Sequence, residues 1–453
     1  MLTNSGHIML SNSVLNSDSN NSVTGGSGAD VFPSIFMMAG ATATVDSSTY
    51  KATFAVNSAA AQTATIDISG TTSITPSSTS SGAIMAAGDV MVMAAGAIVV
   101  NDLIISAGQI TLSGAAVALS HATLHTYDTL NYPGVSGDIT LSGSNGIKLD
   151  SSMLSAGGSL SALSTSGGIE IINSTLFTAG PGTIDKPSVA IAAETDIKIW
   201  GTDAAVTSVD QNNLPVKDPI PTLTAMAGGI SLTSKSGSIQ LDGSKDPLGN
   251  FSTAYPLLIN ASGSFYASSA SGAVGVTSTS LSAGQINLAG ALIPISDSIL
   301  HTYYPSTSFN ASGDIALSGT NGIKLENNMI NAAGAMSAFS GTGGIDVMNS
   351  SVFAAGTGVT NTPTLAMKAG HDIHIIRSNY TSSYTDSNNQ IVVNPLPTLS
   401  TMAGDIALVS TGGNILLDGT KDPSGARNST FPLIVSSAGN VVTSSTSGTV
   451  DLM

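Results

Sequence analysis

The sequence predicts an all-β chain: a right-handed parallel β-helix (β-solenoid) with about three strands per coil of roughly 22 residues. Three observations carry that expectation. A long segment recurs at a fixed offset, a shorter period of three apolar-alternating stretches lies inside each copy, and small and β-branched residues dominate a chain with little charge.

The long repeat comes first. Residues 137–150 read GDITLSGSNGIKLD and residues 313–326 read GDIALSGTNGIKLE, 11 of 14 positions being identical at an offset of 176. The same offset relates residues 222–247 to 398–423, and residues 106–112 to 282–288, with no net insertion between these anchors. The expected organisation is therefore a degenerate N-terminal β-helical segment or cap over residues 1–105, one β-helix block over 106–281, and its duplicate over 282–453.

The short repeat sets the coil. Residues 313–333 contain the stretches DIALS, GIKLE and NMINA, and residues 334–355 contain three more, each set separated by Gly, Asn or Ser. Side chains on a strand alternate between faces, so Ile315, Leu317, Ile323, Leu325, Met329 and Ile330 are candidates for the interior. A β-sandwich also shows regularly spaced strands, but hairpins join them and no coil-length repeat results. Residues 179–223 and 355–399 are equal in length, polar and divergent, and each contains a coil-like core, 193–200 and 369–376, followed by a loop. Those loops end in LPVKDPIPTL and VVNPLPTL, where Pro suits a surface connection and not a central strand. Residues 30–80 do not resolve into coils.

Composition limits the function. The chain of 453 residues is 42% apolar and 9% charged, unlike disordered chains, which combine low hydrophobicity with high charge. A net charge of −16 with twelve Lys and Arg argues against nucleic acid as a partner, because phosphate binding needs basic clusters. With no Cys there is no disulfide and no thiol chemistry. No apolar run approaches the roughly 20 residues of a membrane span, so no transmembrane segment is expected. Residues 1–10 have neither the basic start nor the long apolar run of a signal peptide.

At residues 403–407 (AGDIA), 312–325 and 349–356 (NSSVFAAG) the chain resembles the filamentous-haemagglutinin-like exoproteins of bacteria, whose signature is a recurring AGGDI-x-L … I-x-L … S-x-L-x-A-G coil. The resemblance covers most of residues 82–453. It implies export, a β-helical adhesin fold and a role in adhesion, matrix or contact. The secretion domain of that family carries NPNL- and NPNGI-like motifs near its N-terminus; here SNGI at 144–147 and TNGI at 320–323 echo them in mid-chain.

Candidate chemistry is sparse. Asp242, Lys245 and Asp246 lie together in LDGSKDP, and Asp418, Lys421 and Asp422 repeat the arrangement in LDGTKDP. Such a cluster could bind a cation or a sugar, but a polar turn ending in Asp-Pro explains it more simply. His121 and His125 have a spacing that would suit a metal only on a helix, and His371 and His374 align with Thr195 and Lys198 of the first block. His125 and His301 both sit in HTY, which points to a structural turn. Polysaccharide-cleaving β-helices need carboxylates clustered on one face, and no such cluster is legible. No catalytic residue, cofactor or metal is therefore expected.

The expected function is an extracellular or cell-surface structural or adhesive rod, self-associating end to end into filaments and contacting neighbouring surface glycans or proteins. The alternative is a carbohydrate-binding or carbohydrate-cleaving β-helix of the tailspike or polysaccharide-lyase type. An ice- or mineral-binding face would need a regular TxT array, and none of useful length is present in the linear sequence.

Overall fold

A computed structural model describes residues 2–3, 8–11, 14–16, 35–39, 41–45, 52–56, 64–69, 83–86, 88–127, 136–181, 187–209, 215–303, 312–356, 363–385, 391–421 and 432–453. Among these residues the structure is all-β, with no helix, and most strands pair in parallel. The chain divides into two compact units, Met1–Leu232 with Lys245–Tyr255, and Thr233–Ser244 with Pro256–Met453.

In the first unit the strands pair in three columns. Asp89–Ala94, the first half of Gln109–Ser120, the first half of Ile139–Asp150, Leu160–Ser164 and Val189–Ala193 pair successively in parallel. A second column runs through Ile8–Ser11, Ile66–Ser69, Ala97–Asn101, the second halves of the two long strands, Ile169–Ile172 and Ile197–Trp200. The third contains Ile104–Ala107, Thr123–Thr126, Met153–Ala156, Thr175–Pro181 and Leu223–Ala227. Alternate residues are buried along each strand, as in Ile139, Leu141, Ile147 and Leu149. Each such Ile, Leu or Val contributes about 1.5–3 kcal/mol by leaving water.

The second unit has the same three columns. Its first passes through Leu257–Ser269, Thr279–Ser296, Ile315–Glu326, Met336–Ser340, Leu365–Ala369, Ile406–Ser410 and Val441–Ser445. Ile315, Leu317, Ile323, Leu325 and Ile330 are buried as their alternation requires. Met329 instead faces outward, because it neighbours Ile330 on a strand whose Ile330 and Ala332 point in.

The pairing registers of the two units coincide at the sequence offset. Ile110↔Ile139 matches Ile286↔Ile315, Ile147↔Ile169 matches Ile323↔Ile345, and Leu176↔Leu223 matches Val352↔Leu399. The DIALS and GIKLE stretches merge into the single strand Ile315–Glu326, which turns at Gly319. A Cβ there would lie 2.2 Å from the Gly322 carbonyl oxygen, and Gly143 has the same constraint against Gly146, so only glycine fits either bend.

The divergent excursions are antiparallel hairpins, Ala205–Val209 with Pro215–Pro219 and Thr381–Thr385 with Ile391–Pro395. Their prolines lie in two-stranded sheets, where a missing ladder donor is tolerated. A third hairpin, Ala41–Val45 with Ala52–Val56, interrupts the chain between Ile35–Ala39 and Ile66–Ser69, both of which join the columns.

Candidate functional site

The acidic clusters singled out in the sequence are turn builders. In the second unit, Asp242 Oδ1 accepts from the amide of Ser244 at 2.8 Å and from its hydroxyl. Asp418 is wholly buried, its Oδ1 accepting from Thr420 N at 2.8 Å and Thr420 Oγ1 at 2.7 Å, with Lys421 Nζ 3.8 Å from Oδ2. Burial pushes the Asp418 carboxyl up, but the two bonds from Thr420 and then the Lys421 charge outweigh it and hold the group below its ordinary value. Asp422 lies outside the described residues. In the first unit, Asp246 Oδ1 accepts from Leu248 N at 2.9 Å and Asn250 N at 2.8 Å, and Lys245 bridges to Phe251. Desolvation opposes ionisation of Asp246, and the bonds from Asn250, Leu248 and Gly249 override it, so its pKa is lowered too.

The aspartates of the GDI motifs also act on the backbone. Asp138 Oδ1 accepts from Ser159 N at 2.7 Å, Asp314 Oδ1 from Ala335 N at 2.7 Å, and Asp405 Oδ1 from Asn440 N at 2.7 Å. Asp372 does the same for Asn414 N at 2.6 Å. Each carboxylate ties its own turn to the next strand of the column through a charge-assisted bond.

A second set of polar residues lines one corner. Asp102, His121, Ser151 and Asn173 in the first unit, and Ser278, Asp297, Asn327 and Asn349 in the second, all have positive φ, and the two sets match at offset 176. The residue after each left-handed position points inward and is polar at most of these positions. Ser152 N donates to Ser174 Oγ at 3.0 Å, Ser298 N to Asn328 Oδ1 at 3.0 Å, and Asn328 N to Ser350 Oγ at 3.0 Å. Buried donors are thus satisfied where the strand ladder turns.

The histidines do not converge. His121 occupies a left-handed corner 3.8 Å from Asp102, and His125 is exposed with its ring edge-on to Tyr127 at 6.2 Å. The functional residue of each HTY sequence is the threonine. Thr126 Oγ1 donates to Gly137 O and accepts from Gly157 N at 3.0 Å, while Thr302 Oγ1 donates to Gly313 O and accepts from Ala333 N at 2.9 Å. His371 is exposed beside Asp372, and His374 lies between Asp346 and Leu416 on the outward side of the second column. Among the described residues no three His, Cys, Asp or Glu side chains group as metal ligands.

The outward faces differ in charge. In the second column Lys148, Glu170 and Lys198 align in the first unit, and Lys324, Asp346 and His374 align in the second. The first column of the second unit instead presents Tyr266, Asn287, Ala289, Ala316, Ser318 and Phe339. Sequence reading missed this face, since nothing links Tyr266 to Phe339 along the chain.

These features define a class: an all-β protein of parallel strands in which several aspartates, among them Asp138, Asp314 and Asp405, cap backbone turns. No family model, no curated protein and no solved structure matches the chain. No helix among the described residues is long and apolar enough to cross a membrane.

Proposed function

We propose that the chain is a right-handed β-helix with a structural or adhesive role at the cell surface, and that it is not an enzyme. The observation that carries this reading is the shared register at offset 176. Duplication here repeats a stacking pattern, including its corner residues, and does not frame a catalytic constellation. The use of Asp138, Asp314, Asp372 and Asp405 as amide acceptors supports the same reading, because general acid–base work needs carboxyls facing substrate. The resemblance to filamentous-haemagglutinin-like exoproteins supports export.

End-to-end association of copies is part of the same proposal. Val441 pairs with buried Ile406, Val450 with Ile415 and Leu452 with Leu417, yet Val441, Val450 and Leu452 are themselves exposed. A further parallel strand laid on Val441–Ser445 and Val450–Leu452 would cover these side chains, and in this proposal a second copy supplies it. The test is electron microscopy of the purified protein over a concentration series, with a Val441→Asp/Leu452→Asp variant beside it. Polymers that shorten in the variant are expected. A wild-type protein that stays dispersed at every concentration would overturn the assembly, and depolymerisation of a glycan abolished by Asp242→Ala or Asp418→Ala would overturn the non-enzymatic reading.

A further inference from the structure

We propose that the outward face of the first strand column in the second unit binds a neutral polysaccharide, held between Tyr266 and Phe339. Tyr266 projects from Leu257–Ser269 and Phe339 from Met336–Ser340, and two strands lie between them in the column. Tyr266 aligns with Ser337 and Phe339 with Ser268, so three strand spacings and a two-residue offset along the strands put the two aromatic residues about 16 Å apart on a diagonal. The floor between them is Asn287, Ala289, Ala316 and Ser318, none of which has a side chain long enough to rise toward the height of an aromatic ring.

Both walls are accessible, Tyr266 being 41% and Phe339 47% exposed. Lys368 Nζ stands 6.0 Å over the Phe339 ring centroid from the strand on the far side, so the opposite ring face is turned toward the floor. A sugar ring has an apolar C–H face and a rim of hydroxyls. The C–H face suits an aromatic wall, and the rim suits the amide of Asn287 and the hydroxyl of Ser318.

Charge selects among glycans. None of the four floor residues is charged, and Lys368 already lies against a ring. An acidic polymer would gain no partner on the floor and would be repelled by a chain of net charge −16. The first unit carries Leu163 and Ala192 where the second has Phe339 and Lys368, so the aromatic wall belongs to one block only.

This inference deepens the adhesive reading and rests on it, but the two fail separately, since assembly is measured by microscopy and this face by glycan retention. The full chain is run in native gels containing hydroxyethyl cellulose, galactomannan or xylan, with polygalacturonate as the acidic comparator. Retardation by at least one neutral polymer is expected, weakened about ten-fold or more by Tyr266→Ala or Phe339→Ala. Leu163→Ala should leave it unchanged, and Phe339→Tyr should retain it. Both walls point outward, so circular dichroism and the melting temperature of the variants should match the wild type and exclude misfolding. The proposal is overturned if no neutral polymer retards the protein, if the double variant is retarded as strongly as the wild type, or if polygalacturonate is preferred.

Discussion

The side-chain amide of Asn349 donates to the side-chain carbonyl of Asn327 across 2.8 Å, and both residues hold positive φ, 46° and 57°. The ladder continues on both sides: Asn327 Nδ2 donates to Asp297 Oδ1 at 3.0 Å, and Asn349 Oδ1 accepts from Asn379 N at 2.7 Å. One residue type thus meets two needs, a left-handed backbone and a bond to the neighbouring corner. Asn tolerates that conformation, whereas Ala in it costs about 1–2 kcal/mol. Asn349→Ala should therefore destabilise more than Asn349→Gly, which loses only the side-chain bonds. Urea denaturation of the pair decides it, and equal midpoints would show that backbone conformation is not the governing factor.

Much of the stack was legible because its determinants are local. Alternation alone places Ile315, Leu317, Ile323 and Leu325 inward, and it fails only at adjacent Met329 and Ile330, where two neighbours cannot both point in. Residues 30–80 resisted assignment because the hairpin Ala41–Val45 with Ala52–Val56 breaks the spacing of the parallel strands. The GDI motif was visible, but the amide that each aspartate binds lies beside the next paired strand, so its role was not. Fully buried Arg377 stands where the first block has Gly201, and no local pattern marks it. Tyr266 and Phe339 likewise share a face only through strand pairing, which no linear motif spans.

Asp418 should make stability depend on acid. Its folded pKa is depressed below the ordinary value of about 3.9, so the stabilisation is present above that value and is lost as pH falls through the lower folded pKa. Asp418→Asn removes the charge facing Lys421 but keeps an acceptor for Thr420. Its melting temperature should fall below wild type at pH 7, and the gap should close in strong acid. A gap that widens on acidification would contradict the sign.

Thr126 and Thr302 are expected to matter more than the histidines before them. Thr→Val keeps the shape and deletes the hydroxyl, leaving the Gly157 or Ala333 amide without that acceptor. A loss of about 1–3 kcal/mol is expected for either Thr126→Val or Thr302→Val, with near-recovery by Thr→Ser. His125→Ala and His301→Ala should be almost silent, both side chains being exposed. Hydrogen exchange at Gly157 and Ala333 provides the local readout, and unchanged protection in the valine variants would refute the bridging role.

Phe265 and Tyr266 are adjacent on one strand and face opposite ways. Phe265 is fully buried, and its register partner Ile286 is buried too, whereas Tyr266 is 41% exposed beside Asn287. Phe265→Ala opens a void that the ladders above and below restrain from collapsing, so a loss of about 3–5 kcal/mol is expected. Tyr266→Ala removes a side chain that rests on the outer surface, and surface changes usually stay within about 0.5 kcal/mol. The contrast tests the register itself, because a slip by one residue would exchange the two faces and with them the two costs. Chemical denaturation of both single variants measures it. Comparable losses at the two positions, or a larger one at Tyr266, would mean that the alternation along Leu257–Ser269 is not the one described.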